Sequence, residues 1–179
     1  MASRVRRGVV LALVVAAMLV GGCRPAATRA PQPDPTPRPT ISPAVEATQV
    51  QLAGALQARG IVLEATQLVA RPGEPPALAA VPRTAFRAIL PDDPAGGLIA
   101  VYELPDLVAA ATAAADLAAH VTSGPGRVQY PPDVRHVIRQ VGSTVVFFAW
   151  SPASSPDART AEVAAAVATV GTEVPIPRG

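Results

Sequence analysis

The sequence predicts an α+β domain, a two-layer sandwich with helices on an antiparallel or mixed sheet. Three observations carry this. Val134 to Val141 and Thr144 to Trp150, the second the most hydrophobic segment after residue 22, are two segments of strand length separated only by Gly142 and Ser143. Such a two-residue loop, with glycine first, is what a type II′ hairpin turn requires. Between an earlier strand and this hairpin lies a run rich in alanine that spaces its apolar residues as a helix does. The chain also has one cysteine, at position 23, so the domain that follows must be held by packing rather than by a disulfide.

Taken in order, the chain opens with Arg4, Arg6 and Arg7, followed by fifteen uncharged residues from Gly8 to Gly22. A spanning helix needs about 20 apolar residues, so this run is short for one and has the form of an export signal. It ends Val20-Gly21-Gly22-Cys23. That ending resembles the lipobox of bacterial lipoprotein precursors, in which an aliphatic residue and two small residues precede the cysteine. The resemblance covers residues 1–23 and implies cleavage between Gly22 and Cys23. It also implies a diacylglyceryl group, and an N-acyl group such as palmitate, on Cys23. Two or more chains hold a protein on a bilayer where one binds only marginally. The expected location is extracytoplasmic, anchored to the cell membrane or to an outer membrane where there is one.

Removing residues 1–22 changes the charge balance. Twelve arginines remain against thirteen carboxylates, so the mature chain is formally −1 although the full sequence is +2. No basic patch is left to suggest a nucleic-acid partner. Residues 24–43 hold seven prolines. Each removes a donor and fixes φ, so this stretch is expected to be an extended spacer. The predicted organisation is a signal peptide (1–22), the lipidated cysteine and linker (23–43), one domain (44–171) and a flexible tail (172–179).

Within the domain, Val45 to Arg59 is expected as a helix ended by Gly60, with Val45, Gln49, Leu52, Ala53 and Leu56 near one face. Ile61 to Ala70 alternates as a strand does, and 71–82 is a turn-rich connection. Arg83–Leu90 and Leu98–Glu103 flank Pro91-Asp92-Asp93-Pro94-Ala95-Gly96-Gly97 and are expected to pair as a hairpin. Pro105 suits the first position of a helix running to Val121, with a buried stripe of Leu107, Val108, Ala111, Ala115, Ala118 and Val121. Ser123 to Gly126 should end it, and 127–132 should cross irregularly. The unalternating apolar run Val145–Trp150 suggests a central strand covered on both faces. Ser155 would cap a last helix with Pro156 at its first position. The arrangement resembles the ferredoxin-like pattern with an added N-terminal helix. By pattern alone, residues 97–170 resemble the layout of small uncharacterised bacterial lipoproteins, a likeness that implies no activity.

Residues able to do chemistry are few. The lone cysteine removes thiol redox and CxxC chemistry from the domain, and no Gly-x-Ser-x-Gly stands between a strand and a helix. No catalytic residue, metal ligand or cofactor is predicted beyond the lipid on Cys23. His120, near a helix end, suits the negative end of the dipole. His136 could bind or transfer protons only with a partner, for which Glu64, Glu103 and Asp133 have no motif spacing. Tyr102, Tyr130, His136 and Trp150 are the weak candidates for a ligand groove, and strand aromatics are first read as core. The sequence thus points to a tethered, non-enzymatic binding or accessory domain with an envelope protein as partner. The alternatives are an enzyme or metal-binding site near His136 and a structural subunit of an envelope complex.

Overall fold

The computed structural model describes residues 41–67, 73–130 and 132–177; the signal, Cys23 and the linker as far as residue 40 lie outside them, and the expected linker's last residue, Pro43, begins a helix. Eleven elements follow one another among these residues: α1 (Pro43–Gln57), β1 (Leu63–Thr66), α2 (Pro76–Ala79), β2 (Arg83–Ala88), β3 (Leu98–Glu103), α3 (Leu107–Thr122), α4 (Gly124–Gln129), β4 (Arg135–Val141), β5 (Thr144–Trp150), α5 (Thr160–Val167) and β6 (Thr172–Glu173). The six strands form one sheet in the order β1-β2-β3-β5-β4-β6, and every neighbouring pair is antiparallel. The α+β class, with helices packed on an antiparallel sheet, is as the sequence predicts.

The layer count is not. Alternate residues of the central strands point to opposite faces, and both sets are buried. On one face Ile99, Val101, Val146 and Phe148 pack with Leu52 and Leu56 of α1 and Val163 and Val167 of α5. On the other, Ala100, Tyr102, Val145 and Phe147 pack with Ala113, Ala114 and Leu117 of α3. The sheet is therefore the middle of three layers. This follows from Val145–Phe148, whose apolar run offers side chains to both sides with no polar alternation to leave one face wet.

The ferredoxin-like expectation changes with it. β3, α3, β4 and β5 do form the split unit of that pattern, with β5 between the strands α3 connects. The place a returning last strand would take beside β3 is held by β2, however, and the chain after α5 pairs at the far edge, on β4. The helices α3 and α5 lie on opposite faces.

Capping chemistry explains the shifts in helix ends. Ser42 caps α1 by accepting from the Val45 amide at 3.2 Å. At its far end Gly60, at φ 66°, allows the Ile61 amide to donate back to the Leu56 carbonyl. Helix α3 starts after Asp106 rather than at Pro105, because the Asp106 carboxylate accepts from the Ala109 amide at 2.8 Å. Ser123 closes α3, its amide and hydroxyl both donating to the His120 carbonyl. It also caps α4 through Gly126 N, so the expected irregular crossing at 127–132 is helical as far as Gln129. Helix α5 starts at Thr160, not Pro156, because the Asp157 carbonyl receives the Thr160 amide and hydroxyl and leaves 155–157 as a loop. The predicted tail begins as strand β6: Glu173 pairs with Arg139 and Thr172 with Gln140. Arg139 secures it, donating to the Val170 carbonyl at 2.7 Å and to the Gly171 carbonyl at 2.9 Å.

The buried face of α3 also differs from the expected stripe. Ala110, Ala113, Ala114 and Leu117 face the sheet, whereas Leu107 and Val108 are 61 % and 74 % exposed. A row of methyls lets helix and sheet approach closely, so smallness decides the contact face over the larger side chains at the N-terminus.

Candidate functional site

The four groove candidates do not share a groove. In the β4–β5 register His136 stands opposite Ala149, and Arg135 opposite Trp150. Trp150 thus belongs to the α1/α5 face, where it packs against the core and carries the Arg135 guanidinium 5.5 Å over its ring. Tyr102, Tyr130 and His136 belong to the α3 face.

There the hairpin β4–β5 and the end of α4 bring three rings together. The His136 imidazole stacks on Phe147 at 5.9 Å between centroids, and Tyr130 meets it edge-on at 4.9 Å. Burial holds the His136 pKa below its usual value, and its Nε2 is enclosed without a hydrogen-bond partner. His136 also borders a pocket of about 260 Å³ between β4, α5 and the segment after β6, where Arg139 and Glu173 supply the charged groups. Those two form a pair at 3.7 Å.

Next to the rings lies a polar cluster that the sequence reading missed. Glu74 Oε1 accepts from Arg83 Nη1 at 2.6 Å and from the Tyr102 hydroxyl at 2.8 Å. The Arg83 and Glu74 side chains are 6 % and 2 % exposed, and Tyr102 is fully buried. Burial, then the bond to Glu74 and its negative charge, push the Tyr102 phenol far above its usual pKa. Tyr130 is raised too, by burial and then by Glu74. One signal could have exposed this cluster: pairing Arg87 with Leu98 across the predicted hairpin brings Arg83 opposite Tyr102. Glu74 itself sits in a Pro/Gly stretch whose folding over the strand no local pattern announces.

Of the carboxylates considered as partners for His136, Glu64 and Glu103 lie in β1 and β3, while Asp133, like Asp93 and Asp157, serves loops. Asp133 accepts from the Ser151 hydroxyl at 2.6 Å and the Ala153 amide at 2.9 Å, which hold its carboxyl below the usual range. Asp93 accepts from the Gly96 amide and the Ser155 hydroxyl, and Asp157 from the Asp92 and Arg159 amides. These bonds join the 91–97 turn to the loop before α5. His120 sits in the last turn of α3 as expected, but Ser123 engages its carbonyl and its own Nε2 is buried without a partner. Among the described residues no group of three His, Cys, Asp or Glu side chains is placed to hold a metal ion. No helix among them is long and apolar enough to cross a membrane. No protein family, curated protein or solved structure matches the chain.

Proposed function

We propose that this chain is an extracytoplasmic lipoprotein whose domain acts as a non-enzymatic binding or accessory module on an envelope protein. It is held to the membrane by acyl groups on Cys23. The observation that carries the reading is the order of the first 43 residues: arginines, a short apolar run, Val20-Gly21-Gly22-Cys23, then a proline-rich spacer. The bonding of the domain agrees with it, since Asp93, Asp133, Asp157, Ser151 and Ser155 are engaged in fixing loops. A permanent subunit of an envelope complex would use the same anchor and surface.

Metabolic labelling with a clickable fatty acid tests the anchor. The wild-type chain should take up label and fractionate with membranes, while Cys23→Ala should lose the label and accumulate as the larger precursor. Equal labelling of the two would refute the reading.

A second reading, an enzyme or metal-binding site at His136, is favoured by one observation, the unpartnered Nε2 beside a pocket. The rings of Tyr130 and Phe147 against the imidazole favour a packing role instead.

A further inference from the structure

The N-terminal half of α3 presents apolar side chains where a solvated helix face would be polar. Leu107 and Val108 are among the most exposed large hydrophobics of the described residues. Ala111 and Ala115 continue their ridge at helical spacing and are also exposed. Leu107, Val108 and Ala111, with Gln140, Gly142 and Thr172, line a shallow pocket of about 350 Å³, room for an aliphatic side chain. The pocket is well built: Gln140 Nε2 donates to the Leu107 carbonyl at 2.9 Å and the Gly142 carbonyl at 3.2 Å, which ties the helix start to the β4–β5 turn.

The two arginines at this end of the sheet, Arg83 and Arg139, face Glu74 and Glu173, and the further carboxylates here have no such partner. Asp106 precedes the ridge and is exposed; Glu103 ends β3 beside Thr144; Glu46 lies in the first turn of α1, which reaches the same end through the Thr48–Thr144 contact. No ion pair joins Glu46, Glu103 or Asp106 among the described residues. Four arginines have partners of their own: Arg83 buried Glu74, Arg139 the Val170 and Gly171 carbonyls, Arg159 the Arg59 and Gly60 carbonyls, and Arg135 the Trp150 ring. Residues 41–177 as a whole hold eight arginines against twelve carboxylates, a formal charge of −4.

We infer that this end of the domain docks a polypeptide segment that presents aliphatic side chains between arginines or lysines. The apolar ridge and pocket supply the contact, and the unpaired carboxylates supply orientation and attraction. An anionic bilayer would meet the same carboxylates with repulsion, so the occupant is protein rather than lipid. The inference rests on the proposed accessory role, and it adds a location.

The test uses the full mature chain with Cys23→Ser, titrated with a synthetic peptide of leucines flanked by arginines and with its glutamate counterpart, and read by amide chemical shifts. The arginine peptide should move the amides of Leu107, Val108, Ala111, Gln140, Gly142 and Thr172. Its affinity should fall about ten-fold from low to high salt and by a similar factor in Val108→Asp. That residue is exposed, so the variant should keep the native spectrum elsewhere; Leu107→Ser is the second variant. Charge reversal in Glu46→Lys with Glu103→Lys should move preference toward the glutamate peptide. The inference is overturned if both peptides bind alike, if shifts map elsewhere, if no binding occurs, or if phosphatidylcholine or phosphatidylglycerol vesicles reproduce the shifts. Loss of acyl labelling would refute the anchor and leave this outcome untouched, so the two can fail separately.

Discussion

Thr48 of α1 and Thr144 of β5 are fully buried, and their hydroxyl oxygens lie 2.8 Å apart across 96 residues of sequence. Thr48 Oγ1 also lies 2.9 Å from the Ala44 carbonyl, and Thr144 Oγ1 lies 2.9 Å from the Val141 carbonyl. Two hydroxyl protons thus serve three contacts, and one proton bridges helix to sheet at any moment. Thr48→Val keeps the shape and removes one hydroxyl, leaving Thr144 to donate to Val141 with its remaining lone pairs facing a methyl. The expected loss is about 1 to 1.5 kcal/mol, at the low end for a stranded buried group because the local bond survives. Thr144→Val should behave alike. The double variant buries no hydroxyl there, so its loss should fall about 1 kcal/mol short of the sum. Guanidinium unfolding followed by the single tryptophan, Trp150, measures all four corners of the cycle. If the losses add to within about 0.3 kcal/mol, the hydroxyls act only through their own carbonyls, and the bridge between α1 and β5 contributes nothing.

Other outcomes follow from the same structure. Gly171 has φ 54°, and a Cβ there would meet the Gln140 carbonyl, so Gly171→Ala should cost about 2 kcal/mol or more and release β6; Gly54→Ala, with open space in α1, should instead stabilise by about 0.5 to 1 kcal/mol in the same assay. Burial lowers the folded pKa of His136, so the unfolded chain binds more protons as pH falls through about 6.5. Its contribution should be full above that pH and shrink below it, and His136→Phe should flatten this part of the stability profile. The chain has two tyrosines, both raised by burial and Glu74, so their contribution is present below pH about 10 and lost above it. Tyrosinate absorbance should rise later than in free tyrosine and together with unfolding; an ordinary titration of the folded chain would contradict the Glu74 cluster.

The strands were the legible part of this sequence. Leu98–Glu103 and Thr144–Trp150 appear in the structure with the bounds their composition suggested, because glycine turns punctuate them. With no positive φ outside glycine among the described residues, Gly142 at 57° followed by Ser143 gives the type II′ geometry expected. Helix starts were less legible where two capping signals compete: Pro105 against Asp106, and Ser155-Pro156 against the Asp157 carbonyl. Gly124-Pro125-Gly126 read as a stop because glycine and proline end helices, yet proline near a helix start and Ser123 before it also begin one. At the site, alternation along β5 was ambiguous because both faces are apolar, so Trp150 was grouped with rings that lie across the sheet. Glu74 owes its place to the path of 73–82 over β2 and β3, a tertiary fact with no local trace.

A sheet greasy on both sides has lost the usual check on strand alignment. Where one face is wet, slipping a strand by a residue exposes its whole hydrophobic set. Sliding β5 by one would merely exchange Phe147 for Phe148 and Val145 for Val146 between two equally dry compartments. Alignment must then come from the few points that are not interchangeable. Thr144 is one, since a slip would carry its hydroxyl away from Thr48 and break the contact between helix and sheet. The tight corner at Gly142 is the other, since it fixes how far β5 can travel past β4. These two adjacent markers act as the index by which the most hydrophobic strand of the domain finds its place.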